Sequence, residues 1–211
     1  MSRYLTEFIG AFFLVLTIGL TVTSESPLAP LAIGGVLMVM VYMGGHISGA
    51  HYNPAVTVAI LLRNKMPSGD AAPYLVAQLL AAFLASGAVY LLVGQTFAPA
   101  PGPDATNLQA LLAEALFTFA LVLVILNVAT AKATEGNHYF GLAIGFTIMA
   151  GAFAVGGISG GAFNPAVGTG PIIFQALFGG GSLSDLWLYW AGPLLGSVLA
   201  VVAFMLQEPS A

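Results

Sequence analysis

The sequence predicts an all-α membrane protein with six transmembrane helices and two re-entrant half-helices, arranged as an inverted 3+3 repeat. Three observations favour this fold class. Of the 211 residues, 59% are hydrophobic and 6% are charged, against about 25% charged residues in an ordinary soluble domain. The apolar stretches are continuous, whereas the strands of a membrane β-barrel alternate over about ten residues. One phrase of the sequence also occurs twice, once in each half.

Six apolar stretches are long enough to cross a membrane, which takes about 20 residues for a hydrocarbon core of about 30 Å. Connections rich in Pro, Gly, Ser and Asp separate several of them, as at residues 24–30 and 98–106. The predicted helices cover residues 5–24, 31–48, 71–93, 108–130, 139–157 and 185–206.

The first stretch could be mistaken for a signal peptide, because Arg3 precedes an apolar run. The run has the length of a span, Glu7 interrupts its beginning and no A-x-A-like site follows it, so we interpret it as a transmembrane helix. The basic residues Arg3, Arg63, Lys65 and Lys132 lie before helix 1 or after helices 2 and 4. The positive-inside rule therefore predicts that both termini are cytoplasmic. We expect a multi-pass protein of the cell membrane, in particular a bacterial inner membrane.

The repeated phrase divides the chain into two halves. Residues 45–56 read GHISGAHYNPAV and residues 156–167 read GGISGGAFNPAV, at an offset of 111 positions. Each half contains three spans, an odd number, so the second half must enter the membrane from the opposite side. We assign residues 1–97 to the first repeat, 98–106 to an extracellular linker and 107–211 to the second repeat.

Each Asn-Pro-Ala-Val segment is expected to begin a short helix. Proline suits the first turn of a helix and asparagine is a preferred cap before it, so helices should start at Pro54-Ala55 and Pro165-Ala166. The Gly-rich backbone before each start is irregular, which membranes tolerate where it lines a cavity or is buried in protein. In an inverted repeat the positive N-terminal ends of the two half-helices converge near the midplane.

These residues resemble the aquaporins, the major intrinsic protein family of water and small-solute channels. Residues 46–57 nearly match the first half-helix motif of the family, while residues 6–10 resemble its first helix and residues 189–196 its sixth. The resemblance covers essentially the whole chain. It implies a passive channel in the lipid bilayer, with one pore in each subunit of a homotetramer, that conducts water and small neutral solutes. It implies no enzymatic activity, cofactor or metal, and the absence of a basic cluster gives no indication of nucleic acid binding.

The resemblance also implies roles for individual residues. Asn53 and Asn164 are expected to donate hydrogen bonds to each passing molecule at the pore centre and so interrupt the water wire along which protons hop. Glu7 and Glu114 are expected to hold the irregular loops by accepting backbone N–H bonds. A ladder of carbonyl acceptors is expected from Gly49, Ala50, His51, Tyr52, Gly160, Gly161, Ala162 and Phe163.

The selectivity filter departs from the family pattern. The family has an arginine directly after the second Asn-Pro-Ala, and Val167 stands there in this chain. Counting from the asparagines as in the family gives Ile33, Ala152 and Gly161 as the other filter positions, and a slip of one residue would replace Ala152 by Phe153. Valine lacks the five donors and the charge of arginine. We expect a wider apolar filter, lower selectivity for water over larger neutral solutes, and protection against cations by the half-helix ends alone.

Other functions remain open from the sequence. Some bacterial family members with arginine-free filters are associated with efflux of metalloids or methylated arsenicals. A secondary transporter also uses inverted repeats and broken helices, but only Glu7 and Glu114 could supply its coupling site. These acids with His46 and His51 could form a proton relay or metal site, which we disfavour because no helix carries a ligand cluster. We expect His46 to pack behind its loop.

Overall fold

The computed structural model describes residues 1–208, which contain eight α-helices and no strand. Six helices are long and apolar enough to cross a membrane, and two are short. The long helices are α1 (Ser2–Thr23), α2 (Ala29–Ser48), α4 (Ser68–Val93), α5 (Asn107–Ile125), α6 (Phe140–Ser159) and α8 (Leu188–Gln207). The short helices are α3 (Pro54–Leu62) and α7 (Pro165–Phe178). The predicted fold class is therefore confirmed, while residues 209–211 of the predicted second repeat lie outside the described residues.

Some helix ends differ from the predicted ones by a few residues. Helix α4 begins at Ser68, before the predicted residue 71, directly after the extended Pro67. Helix α5 ends at Ile125, and Leu126–Thr130 continues it as a π-helix. There the side chains of Asn127 and Thr130 donate to the carbonyls of Leu123 and Leu126. Such local bonds compete with regular helical bonding, a competition that apolar periodicity does not reveal.

The long helices pack with the symmetry of the repeat. Helix α1 packs against α4 and α2, and the corresponding α5 packs against α8 and α6. Helices α2 and α6 join the two halves through Gly34 and Gly145, which are 111 positions apart. A Cβ atom at Gly34 would lie 2.6 Å from the carbonyl oxygen of Gly145, and one at Gly145 would lie 2.5 Å from that of Gly34. The pseudo-two-fold axis therefore passes between two glycines that allow close approach.

Each short helix is held by the opposite half of the chain. Helix α3 packs against α8, where the Ser197 hydroxyl donates to the carbonyl oxygen of Ala55 at 2.7 Å. Helix α7 packs against α4, and a Cβ atom at Gly170 would collide with Ala82. Because each short helix packs against a long helix of the other half, the first residues of α3 and α7 lie close together.

Candidate functional site

Asn53 and Asn164 cap the two short helices and connect them to each other. The Asn53 side-chain oxygen accepts from the backbone N–H of Ala55 at 2.9 Å, and Asn164 makes the same bond with Ala166 at 2.9 Å. The Asn53 amide nitrogen donates to the carbonyl of Phe163, and the Asn164 amide nitrogen donates to that of Tyr52, both at 2.9 Å. An amide NH₂ carries two hydrogens, so each asparagine keeps one donor for a passing molecule.

The loops before these caps use the same left-handed backbone positions in both halves. Gly49 and Gly160 end α2 and α6 with φ of 85° and 84°. Tyr52 has φ of 51° and Phe163 has φ of 50°, in a region that costs a residue with a side chain roughly 1–2 kcal/mol. Partners outside the loops must hold these conformations.

Glu7 is the partner that holds the first loop. It is fully buried in α1. Its Oε1 accepts from the Ser48 hydroxyl at 2.7 Å and from the backbone N–H of His51 at 2.9 Å. Its Oε2 accepts from the backbone N–H of Tyr52 at 2.7 Å and from the side-chain amide of Gln78 at 2.8 Å. One carboxylate thus satisfies two loop N–H groups that the irregular backbone would leave without partners.

Glu114 is placed in the same way in the second half. Its Oε1 accepts from the Ser159 hydroxyl at 2.7 Å and from the N–H of Ala162 at 3.0 Å. Its Oε2 accepts from the N–H of Phe163 at 2.6 Å. Tyrosines add an equivalent bond in each half: Tyr74 donates to the carbonyl of Ser48 and Tyr189 to that of Ser159, both at 2.7 Å.

Two cavities open from this centre toward opposite faces of the molecule. The linker-side cavity, of about 530 Å³, is lined by both asparagines, by residues near the end of α1 and the start of α2, and by residues 97–103. The terminal-side cavity, of about 980 Å³, is lined by Arg3, by the connection between α3 and α4 and by residues 128–132 and 134–137. The two cavities share five lining residues, and so adjoin each other inside the chain. The shared residues are Val41, Ala50, His51, Ile125 and Ile144.

Comparison with known proteins identifies the family. The family described as Major intrinsic protein matches residues 1–204. The chain belongs to the major intrinsic protein family. It is 39% identical to "Glycerol uptake facilitator protein-like 6" of Lactiplantibacillus plantarum, over 95% of each chain. It is 34% identical to "Aquaporin AqpM" of Methanothermobacter thermautotrophicus, over 96% of each. Among solved structures, the aquaglyceroporin from Plasmodium falciparum matches with a TM-score of 0.85 and 25% identity, over 96% of this chain and 94% of that one.

All four predicted filter residues of this major intrinsic protein line the linker-side cavity. They are Ile33, Ala152, Gly161 and Val167. Ala152 faces the cavity, whereas the side chain of Phe153 is 58% exposed on the outside of the helix bundle. This arrangement favours the register that places Ala152, and not Phe153, at the constriction.

The predicted carbonyl ladder divides between the two cavities. Gly49 lines the terminal-side cavity, Ala50 and His51 line both cavities, and Tyr52 lines the linker-side cavity. In the second half Gly160, Gly161 and Ala162 line the linker-side cavity. Phe163 is fully buried, and its carbonyl oxygen accepts from Asn53.

Two features differ from or extend the sequence interpretation. The expectation that His46 packs behind its loop is wrong, because His46 is exposed and lines the terminal-side cavity. Sequence reasoning missed the support given by Gln78: besides Glu7, its amide reaches the Thr57 hydroxyl at 3.0 Å, and that hydroxyl lies 3.1 Å from Nδ1 of His51. The one sequence feature that could have indicated this role is the presence of a glutamine in an apolar stretch of α4. Within residues 1–208, no group of His, Asp or Glu is arranged to hold a metal ion.

Proposed function

We propose that the chain forms a passive channel for water and small neutral solutes up to the size of glycerol and urea, with a wide apolar filter on the linker side. The observation that carries this proposal is the meeting of two capped half-helices, with Asn53 and Asn164 both lining the linker-side cavity, which adjoins the terminal-side cavity. Each asparagine can donate to a solute oxygen, and the helix N-termini beside them repel cations. Selectivity in aquaporin-type pores depends on pore diameter, lining hydrogen-bond donors and electrostatic barriers, and this arrangement provides all three.

The side chains at the four filter positions support the proposal that the pore is wide. Val167 and Ile33 present only hydrocarbon, and Ala152 and Gly161 are small. Among the described residues that line the linker-side cavity, none has a charged side chain. A solute that passes this filter can therefore form hydrogen bonds with the backbone and the asparagines. It meets no charged side chain that could replace its bound water.

The same apolar lining favours one second candidate, efflux of neutral trivalent arsenic species or their methylated forms. Such solutes are uncharged, and a methyl group would contact Val167 and Ile33 without leaving a polar group unpaired. A coupled transporter is disfavoured, because the oxygens of Glu7 and Glu114 already accept hydrogen bonds from the loops. The buried carboxylates therefore act as loop supports in this proposal, and not as sites for a coupling ion.

We also propose an orientation in the membrane and a state of assembly for the chain. The basic residues lie on the side of the terminal-side cavity, so the positive-inside rule puts that cavity and both termini in the cytoplasm. We assign the protein to the cell membrane, in bacteria the inner membrane. We also propose a homotetramer with one pore in each subunit, as the family resemblance implies.

A pair of neighbouring substitutions tests the proposed passage. Ala152→Trp places an indole at the filter, whereas Phe153→Trp changes a side chain that faces outward. In proteoliposomes, stopped-flow light scattering should show that Ala152→Trp reduces water and glycerol flux at least tenfold and that Phe153→Trp leaves both unchanged. Full flux through Ala152→Trp at normal reconstitution levels would contradict the proposed path. Saturable uptake driven by an ion gradient would instead indicate a transporter.

A further inference from the structure

Among residues 1–208, charged side chains line the terminal-side cavity but not the linker-side cavity. Six charged residues line the terminal-side cavity, and they include all four basic residues of the chain. These six, called here the charged ring, are Arg3, Arg63, Lys65, Asp70, Lys132 and Glu135. Within the described residues, the linker-side cavity has no charged lining residue.

The charged ring is net positive. Four basic and two acidic side chains leave a formal charge of +2 at this mouth. The other six charged residues of the chain are all acidic, and all lie within the described part. Two of these, Glu7 and Glu114, are buried at the loops. Glu25 and Asp104 are exposed in connections on the linker side. Asp185 precedes α8 and Glu208 follows α8 at its other end, and neither residue lines a cavity. The chain therefore carries an electrical asymmetry along its passage.

The basic members of the ring are placed in three ways. Arg3 forms an ion pair with Asp70. Arg63 follows the last residue of α3, is buried, and holds its guanidinium carbon 4.7 Å from the centre of the Phe204 ring. Lys65 and Lys132 have exposed side chains at the rim. Two rim lysines can thus be altered without removing a buried contact.

We propose that the charged ring is a cation-excluding element of this channel and supplies at the terminal-side mouth the positive charge that Val167 does not supply at the filter. This proposal rests on the proposed channel function. In water, a unit charge about 10 Å from the pore axis changes the local cation concentration by about twofold at low ionic strength. The field of the ring acts in the same sense as the converging half-helix N-termini. Basic residues on cytoplasmic loops are expected from topology alone, so the test must separate an effect on ions from an effect on insertion.

The experiment measures ion selectivity of the purified full-length protein in planar bilayers, from the reversal potential in a KCl gradient near 10 mM. The variants are Lys65→Gln/Lys132→Gln, which lowers the ring charge by two, and Lys65→Glu/Lys132→Glu, which lowers it by four. The matched control is Gln95→Glu/Asn107→Glu, which also lowers the net charge by two but at exposed positions outside both cavities. Osmotic water permeability is measured on the same preparations.

The residual conductance of the wild type should favour chloride over potassium. The double glutamine variant should raise the relative potassium permeability about twofold to fourfold, and the double glutamate variant should raise it further. The control should behave like the wild type. In about 1 M KCl the differences should vanish, because the Debye length falls to about 3 Å.

Equal reversal potentials in all variants at low salt, or no ionic current even in the double glutamate variant, would overturn the proposal. If water permeability is normal in that case, only the charged ring is rejected. Absence of water and solute flux from every variant and from the wild type would reject the proposed channel function itself.

Discussion

Glu7 in the first half accepts four hydrogen bonds, and Glu114 in the second half accepts three. The extra donor is Gln78 of α4, and the position 115 residues later in α8 is Pro193. Pro193 has no side-chain donor. The two halves thus share the carboxylate, the serine and the two loop N–H groups. They differ in whether a side chain from the neighbouring long helix also donates to the carboxylate.

The difference extends around both loops. In the first half Gln78, Thr57 and His51 form a buried polar chain beside Glu7. The positions 111 residues after Thr57 and His51 are Gly168 and Ala162. There the second half relies on close backbone packing, because a Cβ atom at Gly168 would collide with Tyr189 and one at Gly192 would lie 2.7 Å from the Cβ of Glu114. The loop geometry is therefore common to both halves, while hydrogen bonds support it in one and close packing in the other.

The largest expected effect comes from replacing the carboxylates by amides. Both variants turn an amide NH₂ toward at least one loop N–H, that of His51 or Tyr52 in Glu7→Gln and that of Phe163 in Glu114→Gln. Each buried donor without an acceptor costs about 1–3 kcal/mol. Glu7→Gln also weakens a fourth hydrogen bond, from Gln78, so it should destabilise by about 2–4 kcal/mol and Glu114→Gln by about 1–3 kcal/mol.

The stability of both variants is measured by thermal unfolding in detergent and by the yield of folded protein. The solute selectivity of the folded fraction is the control. Selectivity should change little in either variant. A Glu114→Gln protein less stable than Glu7→Gln would contradict the difference between the two halves.

Next in size is Gly168→Ala, which tests close packing in the second half. The added methyl group collides with Tyr189, and overpacking of this kind costs about 1–3 kcal/mol. Gly69→Ala is the matched control, because a Cβ atom there meets nothing within 4 Å. Helix propensity predicts that the control is neutral or more stable by about 0.5–1 kcal/mol. Equal unfolding midpoints for the two variants would show that backbone contact does not hold the second loop.

Gln78→Leu tests the polar chain of the first half. The substitution removes one donor from Glu7 and one from Thr57, so we expect a loss of about 1–2 kcal/mol. Combined with Glu7→Gln, the two losses should be less than additive, because both act on the same bond. Strict additivity in unfolding experiments would mean that Gln78 does not support Glu7.

The smallest effect is expected where the two halves are alike. Tyr74→Phe and Tyr189→Phe each remove a hydroxyl that donates to a serine carbonyl at 2.7 Å. Each should cost about 1 kcal/mol, and the two values should agree within about 0.5 kcal/mol. A clear inequality in unfolding free energy would show that the loops are not equivalent even at these bonds.

The fold could be predicted largely from the repeat. Pro54 and Pro165 begin helices because the physical preferences of Asn-Pro act locally, and they act in the same way in both copies. The family resemblance gave Glu7 and Glu114 as supports for the loops. The pairing of Asn53 with Phe163 and of Asn164 with Tyr52 depends on tertiary geometry that no local pattern contains.

Other parts of the site lay beyond the sequence pattern for identifiable reasons. Gln78 lies in an apolar span whose periodicity does not show which partner a polar side chain finds. His46 lines the terminal-side cavity together with residues 128–132 and 134–137, which are far away in the sequence, so local pattern does not show its exposure. Glu7 and Glu114 are 107 positions apart, the repeated phrases are 111 apart, and Gln78 and Pro193 are 115 apart, so no single offset aligns all equivalent residues of the two halves.

Val167, at the place of the family arginine, is the residue on which the proposed wide and apolar filter depends most. The most direct measurement is the ratio of glycerol, urea and trivalent arsenic permeability to water permeability in proteoliposomes, for the wild type and Val167→Arg. The arginine adds bulk, five donors and a charge at a residue that lines the linker-side cavity. We predict that Val167→Arg suppresses the larger solutes at least tenfold more than water. Equal effects on all solutes, or no effect on any, would contradict the placement of Val167 in the filter.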